Sequence, residues 1–407
     1  MTMPKEILFD ISGISEEGLM RINKNYAGLN KASYYNISPR IVKAGKKSTI
    51  TIASKSETIQ LVGTYSVIIF PYYEYEYVPC AVYHEQIMEI AAQNGMIEIE
   101  YTFSSEQMYC IIVGKKLDSG LGIILRTAVY ALEDDLYDLK PLIGDFHSHT
   151  IYSDGLETPE GLLDSAISHG FNFIAVTDHN NYEGSAVTAE IAARKSLPIT
   201  VINGVEYSSN FTNMHIIALG NDAKLPGWCY WVLDEDVKNG VSEISCIHRL
   251  CEQIRQNGGV AVMCHPLWKP LRADMKRLDV SHSLVKELMQ ANVFDAIEIV
   301  SGSPLEDSMT SQMHYIWANS YGATCDKVAY LGSTDAHFYT IDPICGKHFT
   351  LVLATENSQT AIINAIRNKL TVAVQLIDEK NALLYGSPRL CMFAQFYLRE
   401  ILKKITN

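Results

Sequence analysis

Short apolar segments alternate with amphipathic segments from about residue 140 to residue 335, and this rhythm constrains the fold more than any other feature of the sequence. Strands that alternate with helices in this way typically form a parallel sheet or a barrel. Seven segments have the length and apolar content of buried strands. They end at His147, Asp178, Glu206, Gly220, Cys264, Val300 and Ser333. We therefore predict an α/β fold of repeated βα units for residues 136–380.

Helix signals lie between these strands. Thr158 is placed to cap a helix that has Pro159 in its first turn and ends before Gly170. A second helix is predicted over residues 241–257. A later strand, HFTLVLAT, and a later helix, SQTAIINAIRNKL, add one more unit.

The residues before the barrel have a different pattern. Residues 1–135 contain runs such as ITIAS and GMIEIEYTF, in which apolar and polar residues alternate with period two between turn-forming residues. This pattern predicts half-buried antiparallel strands, and we expect a small N-terminal β-sandwich. The acidic segment 131–142 looks like a connector. The chain thus divides into a β-rich domain (1–135), the barrel (136–380) and a helical tail (381–407).

Composition excludes several classes of protein. The net charge of −13 disfavours duplex nucleic acid as a partner, although small anions can still bind where metals reverse the local charge. No run of eighteen apolar residues is available to span a bilayer, and the first residues do not resemble a secretory signal. The nine cysteines contain no C-x-x-C pair and are expected to be reduced. We expect a cytoplasmic protein with no membrane partner.

Histidines and acids cluster at the predicted strand ends, where sites assemble in parallel βα folds. Spacing of i, i+2 occurs twice and directs both side chains of an extended pair to one side. The candidate ligands are His147, His149, Asp154, His179, Glu206, His215, His265, Asp335 and His337. Imidazole and carboxylate without thiolate suit zinc, manganese or iron. Nine ligands are too many for one ion, so we predict two or three divalent metal ions that share a carboxylate such as Glu206.

The segments GDFHSHTIYSDG, AVTDHN, NGVEYSS, MHIIALG, MCHPLW and GSTDAH resemble, in this order, the motifs of the polymerase and histidinol phosphatase (PHP) family. The resemblance covers roughly residues 143–375 and implies a distorted seven-stranded barrel with up to three ions. It assigns one ion to His147, His149, Glu206 and Asp335, a second to Glu206, His215 and His265, and a third to Asp154, His179 and His337. It looks closest to a branch with both phosphoesterases and carbamate hydrolases.

Other residues are weaker candidates. Asn180 follows a ligand, and Lys269 and Arg272 follow His265 closely enough to hold a phosphate oxygen, although each of them also fits a solvated loop. Asp178 and, with a weaker case, Asp145 could bond to a ligand or cap the structure. The thiol of Cys264 is expected to be structural. The remaining candidates are Tyr152 and the aromatic run PYYEYEYV, which suits an edge strand or a subunit contact.

The favoured function is a metal-dependent phosphoesterase, in which a metal-bound hydroxide attacks phosphorus in a small phosphorylated substrate. The side-chain acid that protonates the leaving group is not identified, and a homo-oligomer stays open. One alternative is a carbamate, ester or amide hydrolase that uses the same centre. Another is a metal-binding sensor without catalysis.

Overall fold

The structure is a computed structural model that describes residues 34–56, 59–71, 87–117, 120–208, 214–221, 239–267, 282–302 and 307–404. The chain forms two compact units that divide between Asp138 and Leu139, within the segment expected to be a connector. Among the helices of the described ranges, none has the length and apolarity needed to cross a membrane. The aromatic run that begins at Pro71 lies almost wholly outside the described residues.

The described part of the N-terminal unit consists mainly of β-strands. They are β1 (Tyr35–Ser38), β2 (Ile41–Lys43), β3 (Lys47–Ser54), β4 (Thr64–Pro71), β5 (Ile87–Ala91), β6 (Met96–Thr102), β7 (Gln107–Leu117) and β8 (Gly120–Leu132), followed by the short helix α1 (Asp134–Tyr137). One sheet has the order β1-β3-β6 and the other has the order β2-β8-β7-β4-β5. Alternate residues of both sheets, such as Ile50, Ile99 and Ile111, share one buried core.

The second unit combines ten strands with helices. The strands are β9 (Lys140–Asp145), β10 (Phe173–Val176), β11 (Thr200–Tyr207), β12 (Ile216–Leu219), β13 (Val260–Met263), β14 (Ala296–Val300), β15 (Ala329–Gly332), β16 (His348–Ala354), β17 (Thr371–Leu376) and β18 (Ala382–Tyr385). The helices are α2 (Pro159–Ser168), α3 (Glu183–Arg194), α4 (Glu243–Gln256), α5 (His282–Gln290), α6 (Asp307–Ser320), α7 (Gln359–Arg367) and α8 (Pro388–Phe396), and a π-helical turn (Tyr397–Ile401) follows α8.

The ten strands form one sheet in the order β15-β14-β13-β12-β11-β10-β9-β16-β17-β18. The seven strands predicted from the sequence correspond to β9–β15, and β16 was predicted as a later addition. The sheet is nearly closed. Thr350 Oγ1 of β16 accepts a hydrogen bond from Gly332 N at 2.9 Å, and it lies 2.8 Å from Gly332 O of the edge strand β15. The mixed α/β class was thus predicted, but the sheet has more than seven strands.

The expectation of a parallel sheet was wrong for β12, which runs antiparallel to both of its neighbours, β11 and β13. The connection from β11 to β12 is too short for the crossover of a dozen or more residues that parallel neighbours need. This reversal places the start of β12 at the same edge as the ends of β11 and β13.

Two apolar clusters hold the sheet in place. One combines β-strand side chains with the buried faces of α4 and α5, and the other contains the buried face of α7. The predicted helix signals are confirmed: Thr158 Oγ1 accepts a hydrogen bond from Gly161 N at the start of α2, and Gly170 follows its end with φ +76°. In the segment expected to be a helical tail, α8 is preceded by β18, which pairs with β17.

Candidate metal centre

All nine predicted ligands lie close together at one edge of the ten-stranded sheet. His147 and His149 follow β9, His179 follows β10, Glu206 lies near the end of β11, and His265 follows β13. His215 precedes β12 and reaches the same edge because that strand is reversed. Asp154 lies in the loop after β9, and Asp335 and His337 follow β15. The strand ends therefore bring together side chains that are far apart in sequence.

The first cluster consists of His147, His149, Glu206 and Asp335. Nε2 of His147 lies 3.1 Å from Nε2 of His149. Each of these nitrogen atoms lies 3.2 Å from Glu206 Oε2 and 3.1 Å from Asp335 Oδ1. Ligands at 2.0–2.1 Å from a tetrahedral zinc ion lie about 3.3 Å from one another. The four atoms are therefore spaced like the ligands of one ion.

The second cluster uses the other oxygen atom of Glu206. Oε1 lies 2.7 Å from Nδ1 of His215 and 3.1 Å from Nε2 of His265. Glu206 thus faces the first cluster with Oε2 and the second cluster with Oε1. A carboxylate in this position can bridge two ions.

The third cluster consists of Asp154, His179 and His337, and it is the more exposed part of the centre. Asp154 Oδ2 lies 3.5 Å from Nε2 of His179 and 3.3 Å from Nε2 of His337. His149 also faces this group, because its Nδ1 lies 3.7 Å from Asp154 Oδ1. The opposite ring nitrogen of His149 belongs to the first cluster, so this ring lies between two clusters.

The chemistry of the donor set fits divalent cations. Within the described residues, the buried atoms His149 Nδ1, His179 Nδ1 and Glu206 Oε2 have no hydrogen-bond partner. Buried polar atoms in folded proteins are almost always satisfied, so such atoms facing one another need a further partner. Ions bound between them would supply it.

The charges of these groups influence one another strongly. Burial alone would raise the pKa of Glu206, but the neighbouring His147 and His215 hold it well below its ordinary value. Burial opposes protonation of His149, whereas Asp335 and Glu206 raise its pKa to about 9. The carboxylates therefore remain ionised, which is the form that binds cations.

Two ligands and one neighbouring residue have a left-handed backbone. His265 has φ +23°, Asp335 has φ +55° and Asn180 has φ +52°. Residues other than glycine rarely adopt this conformation, and it clusters at functional sites. Here it turns the chain sharply at the strand ends, where the ligands must face inward.

The sequence did not identify Glu298, which lies in the middle of the apolar strand β14. Its side chain is fully buried, Oε1 lies 2.9 Å from Nδ1 of His147, and Oε2 accepts a hydrogen bond from His265 N at 2.9 Å. A lone acid within an otherwise apolar buried strand was the available signal, because burying a carboxylate without partners is costly.

Asp145 connects the chain segments that carry two of the ligands. It accepts hydrogen bonds from His147 N and Thr334 N at 3.1 Å, and from Thr334 Oγ1 at 2.6 Å. Tyr339 OH donates a further bond at 3.0 Å. Burial raises the pKa of Asp145 to about 6, and these hydrogen bonds act against that rise.

Asp178 supports the loop that carries Asp154. Its carboxylate accepts hydrogen bonds from Thr150 N and Thr150 Oγ1, both at 2.7 Å, and from Ser153 Oγ at 2.8 Å. Of the two roles left open by the sequence, this bonding matches a structural cap. Tyr152 lies in the same loop, and its backbone carbonyl accepts a hydrogen bond from Asn181 Nδ2.

The three residues expected to contact substrate are placed as follows. Asn180 Nδ2 donates to Ser208 Oγ at 3.0 Å, and Asn180 Oδ1 accepts from Ser208 N at 3.2 Å. The Asn180 side chain therefore bonds to Ser208 within the protein. Lys269 and Arg272 lie outside the described residues.

Cys264 is buried beside the centre, with Sγ 3.5 Å from Glu206 Oε1. Burial and the adjacent carboxylate of Glu206 raise the pKa of this thiol well above its ordinary value. The protonated thiol is a poor nucleophile and a poor metal ligand, which fits a structural role.

Comparison with known proteins adds independent observations. Residues 145–266 match the model of the PHP domain. The 5'-3' exoribonuclease Rnm of Escherichia coli is 35% identical over 96 residues, which is 23% of this chain and 33% of that protein. The 3',5'-nucleoside bisphosphate phosphatase of Chromobacterium violaceum is 38% identical over 84 residues, which is 20% of this chain and 29% of that protein. The chain thus spans about a third of the length of these relatives.

One solved structure is a two-domain protein from Bacteroides vulgatus, described as containing a predicted PHP-like metal-dependent phosphoesterase. Its sequence identity to this chain is 20% and the TM-score is 0.45. The superposition covers 64% of this chain and 71% of that chain.

Proposed function

We propose that this chain, whose residues 145–266 match the PHP domain, is a metal-dependent phosphoesterase. The observation that carries the proposal is the pair of clusters that share Glu206, with its two oxygen atoms 3.2 Å from His149 Nε2 and 2.7 Å from His215 Nδ1. Two relatives are named as a 5'-3' exoribonuclease and a 3',5'-nucleoside bisphosphate phosphatase, and these names support a reaction at a phosphate ester.

We assign two or three divalent ions to the nine ligands, as the three clusters suggest. The ligand types are compatible with zinc, manganese or iron. When bound, such ions lower the pKa of water and neutralise charge that develops on a phosphoryl group. The ligands of the first cluster hold their positions because they lie on rigid strand ends, and Asp145 ties two of those segments together.

The side chains also determine how substrate reaches the centre. His147, His149 and Glu206 are fully buried, whereas Asp154 and His337 are partly exposed. We infer that substrate approaches the centre from the side of the third cluster, where the side chains are more exposed. No described side chain is assigned as the acid for the leaving group.

The substrate class is a small phosphorylated molecule. We infer from the net charge of −13 that duplex nucleic acid is disfavoured, whereas one relative is named as a ribonuclease, so short single-stranded RNA belongs among the substrates tested. Asn180, Lys269 and Arg272 remain proposed contacts to substrate, and we further propose that the protein is cytoplasmic.

We also infer that β9–β15 correspond to the seven strands of a PHP barrel and that the two N-terminal sheets pack as a β-sandwich. The shared apolar core of those sheets supports the second inference. The proposed domains are residues 1–135, 136–380 and 381–407.

A substrate panel tests the function. Purified protein with added manganese or zinc is offered phosphomonoesters, phosphodiesters, nucleoside bisphosphates and short RNA, together with carbamates and aryl esters. Turnover of a phosphate ester that is lost in His147→Ala supports the proposal. Turnover of carbamates or aryl esters alone would contradict it and favour the alternative hydrolase. Full metal occupancy without any hydrolysis would favour a metal-binding sensor.

A further inference from the structure

Glu298 is a buried acid at the metal centre that belongs to none of the three clusters, and its carboxylate contacts the ring of a predicted ligand. It lies on β14 between Ile297 and Ile299, which belong to the apolar cluster with α4 and α5. Ala296, two residues earlier, belongs to the opposite cluster, so Glu298 faces the same side of the sheet as Ala296. This side carries the ligands.

The strand is irregular at exactly this position. Glu298 pairs with Leu331 of β15, and Val300 pairs with the next residue, Gly332, so Ile299 is an extra residue on β14. A bulge of this type bends a strand and redirects its side chains, and such bulges occur often beside active sites. The bulge therefore immediately follows the residue that reaches two ligands.

We propose that Glu298 is a positioning residue that couples the first two ion sites, a role that rests on the proposed metal centre. With Oε1 it accepts the Nδ1–H of His147 at 2.9 Å, which leaves the Nε2 lone pair of that ring for the first cluster. With Oε2 it accepts the backbone N–H of His265 at 2.9 Å. That bond fixes the left-handed turn, at φ +23°, that aims His265 into the second cluster.

The coupling requires two acceptor oxygen atoms on one side chain. Glutamine at this position would offer a single oxygen, so either His147 Nδ1–H or His265 N–H would face an amide N–H₂ group. His147 could regain a bond only by taking the other tautomer, which protonates Nε2 and removes it as a ligand. Glu298→Gln therefore conserves size but weakens at least one of the two ion sites.

The test is titration of Zn²⁺ or Mn²⁺ into metal-free protein by calorimetry, with thermal unfolding measured in parallel. Glu298→Gln is expected to bind the ion of at least one of the first two clusters about 10–100-fold more weakly, as for other partners of ligating histidines. Glu298→Asp keeps both acceptor oxygens and is expected to lose less affinity. If Glu298→Gln does not fold, the ion affinity of Glu298→Asp is measured in its place.

The matched control is Asp295→Asn, an acid-to-amide change just before the same strand. Asp295 accepts hydrogen bonds from Arg255 Nε at 3.0 Å and from Ala261 N at 2.9 Å, so its loss lowers stability but touches no ligand. Ion affinity in this variant should equal that of the wild type. Equal losses of affinity in both variants would reduce Glu298 to a structural residue and overturn the inference.

The outcomes separate this inference from the function on which it rests. Unchanged ion affinity in Glu298→Gln, with normal binding by the wild type, overturns the role of Glu298 alone. A wild-type protein that binds no ion overturns the proposed metal centre as well.

Discussion

Glu206 Oε1 and His215 Nδ1 lie 2.7 Å apart, although Glu206 lies on β11 and His215 directly precedes β12, which runs in the opposite direction. The reversal of β12 brings the start of one strand beside the end of the other. Glu206 can therefore face His215 with one oxygen atom while the second oxygen faces the first cluster.

Glu206→Gln is expected to lower kcat/KM by at least about 100-fold, the upper end of the effect of a residue that only supports a ligand. The reason is that both carboxylate oxygens face ligand nitrogen atoms, and an amide supplies only one oxygen and no charge. Steady-state kinetics on the best phosphate ester, with metal content measured in parallel, checks this. Glu190→Gln on the exposed face of α3 is the control and should behave as wild type. Near-normal rates in Glu206→Gln would contradict the bridging role.

Removal of ions is expected to destabilise the second unit as well as abolish activity. Ions bind to buried groups that only the folded state assembles, so an ion at about 100 times its Kd adds about 2.7 kcal/mol of stability. Thermal unfolding of chelator-treated protein, before and after addition of Mn²⁺ or Zn²⁺, measures the effect. A Tm that does not depend on ion concentration would be inconsistent with a buried metal centre.

Gly184→Ala should disturb the third cluster from a distance. A Cβ atom on Gly184 would overlap Asp178 Oδ2 and lie 2.9 Å from Thr150 Oγ1. Asp178 supports the loop that carries Asp154, so we expect a stability loss of about 1–3 kcal/mol, typical of overpacking, together with weaker binding of the third ion. Urea unfolding and ion titration measure the two effects. The control is Ala193→Ser on the exposed face of the same helix, which should change neither stability nor ion affinity. If Gly184→Ala has the same stability and ion affinity as this control, Gly184 does not support the third cluster.

The stability of the fold should depend on pH through His348, which is buried in β16. Burial, with a contribution from the charge of Lys347, lowers its pKa to about 4. An unfolded histidine takes up a proton near pH 6.5, whereas the folded one stays neutral until about pH 4. The contribution of His348 to stability is therefore complete above pH 6.5 and falls as the pH drops towards 4, by up to about 1.4 kcal/mol per pH unit.

Urea unfolding of wild type and His348→Gln at pH 7 and at pH 5 isolates this group, because the other titrating groups are common to both proteins. The wild type should lose more stability than the variant over this interval. If both proteins show the same pH dependence, the pKa of His348 is the same in the folded and unfolded states, which would contradict the prediction.

Apart from Asp154, each predicted ligand lies within a few residues of a strand end, a position that local sequence identifies. Asp335 and His337 illustrate this, since their spacing and their position after an apolar strand are both visible in the sequence. Their distances to Asp154 and His149 depend on the closure of the sheet, which local patterns do not report.

Other features depend on contacts between distant segments. Glu298 was missed because its flanking isoleucines give the pattern of an ordinary buried strand. The pairing of the Asn180 amide with Ser208, 28 residues away in sequence, is likewise not visible in local patterns. The direction of β12 was missed because apolar content does not distinguish parallel from antiparallel strands, although the short connection before it was a usable signal.

The metal content of the purified protein tests the central claim most directly. Elemental analysis after dialysis should find two or three zinc, manganese or iron ions per wild-type chain, and fewer in Asp335→Ala, which should also lose turnover. A phosphoesterase that is fully active without bound ions, or an Asp335→Ala protein with wild-type metal content and rate, would contradict the account.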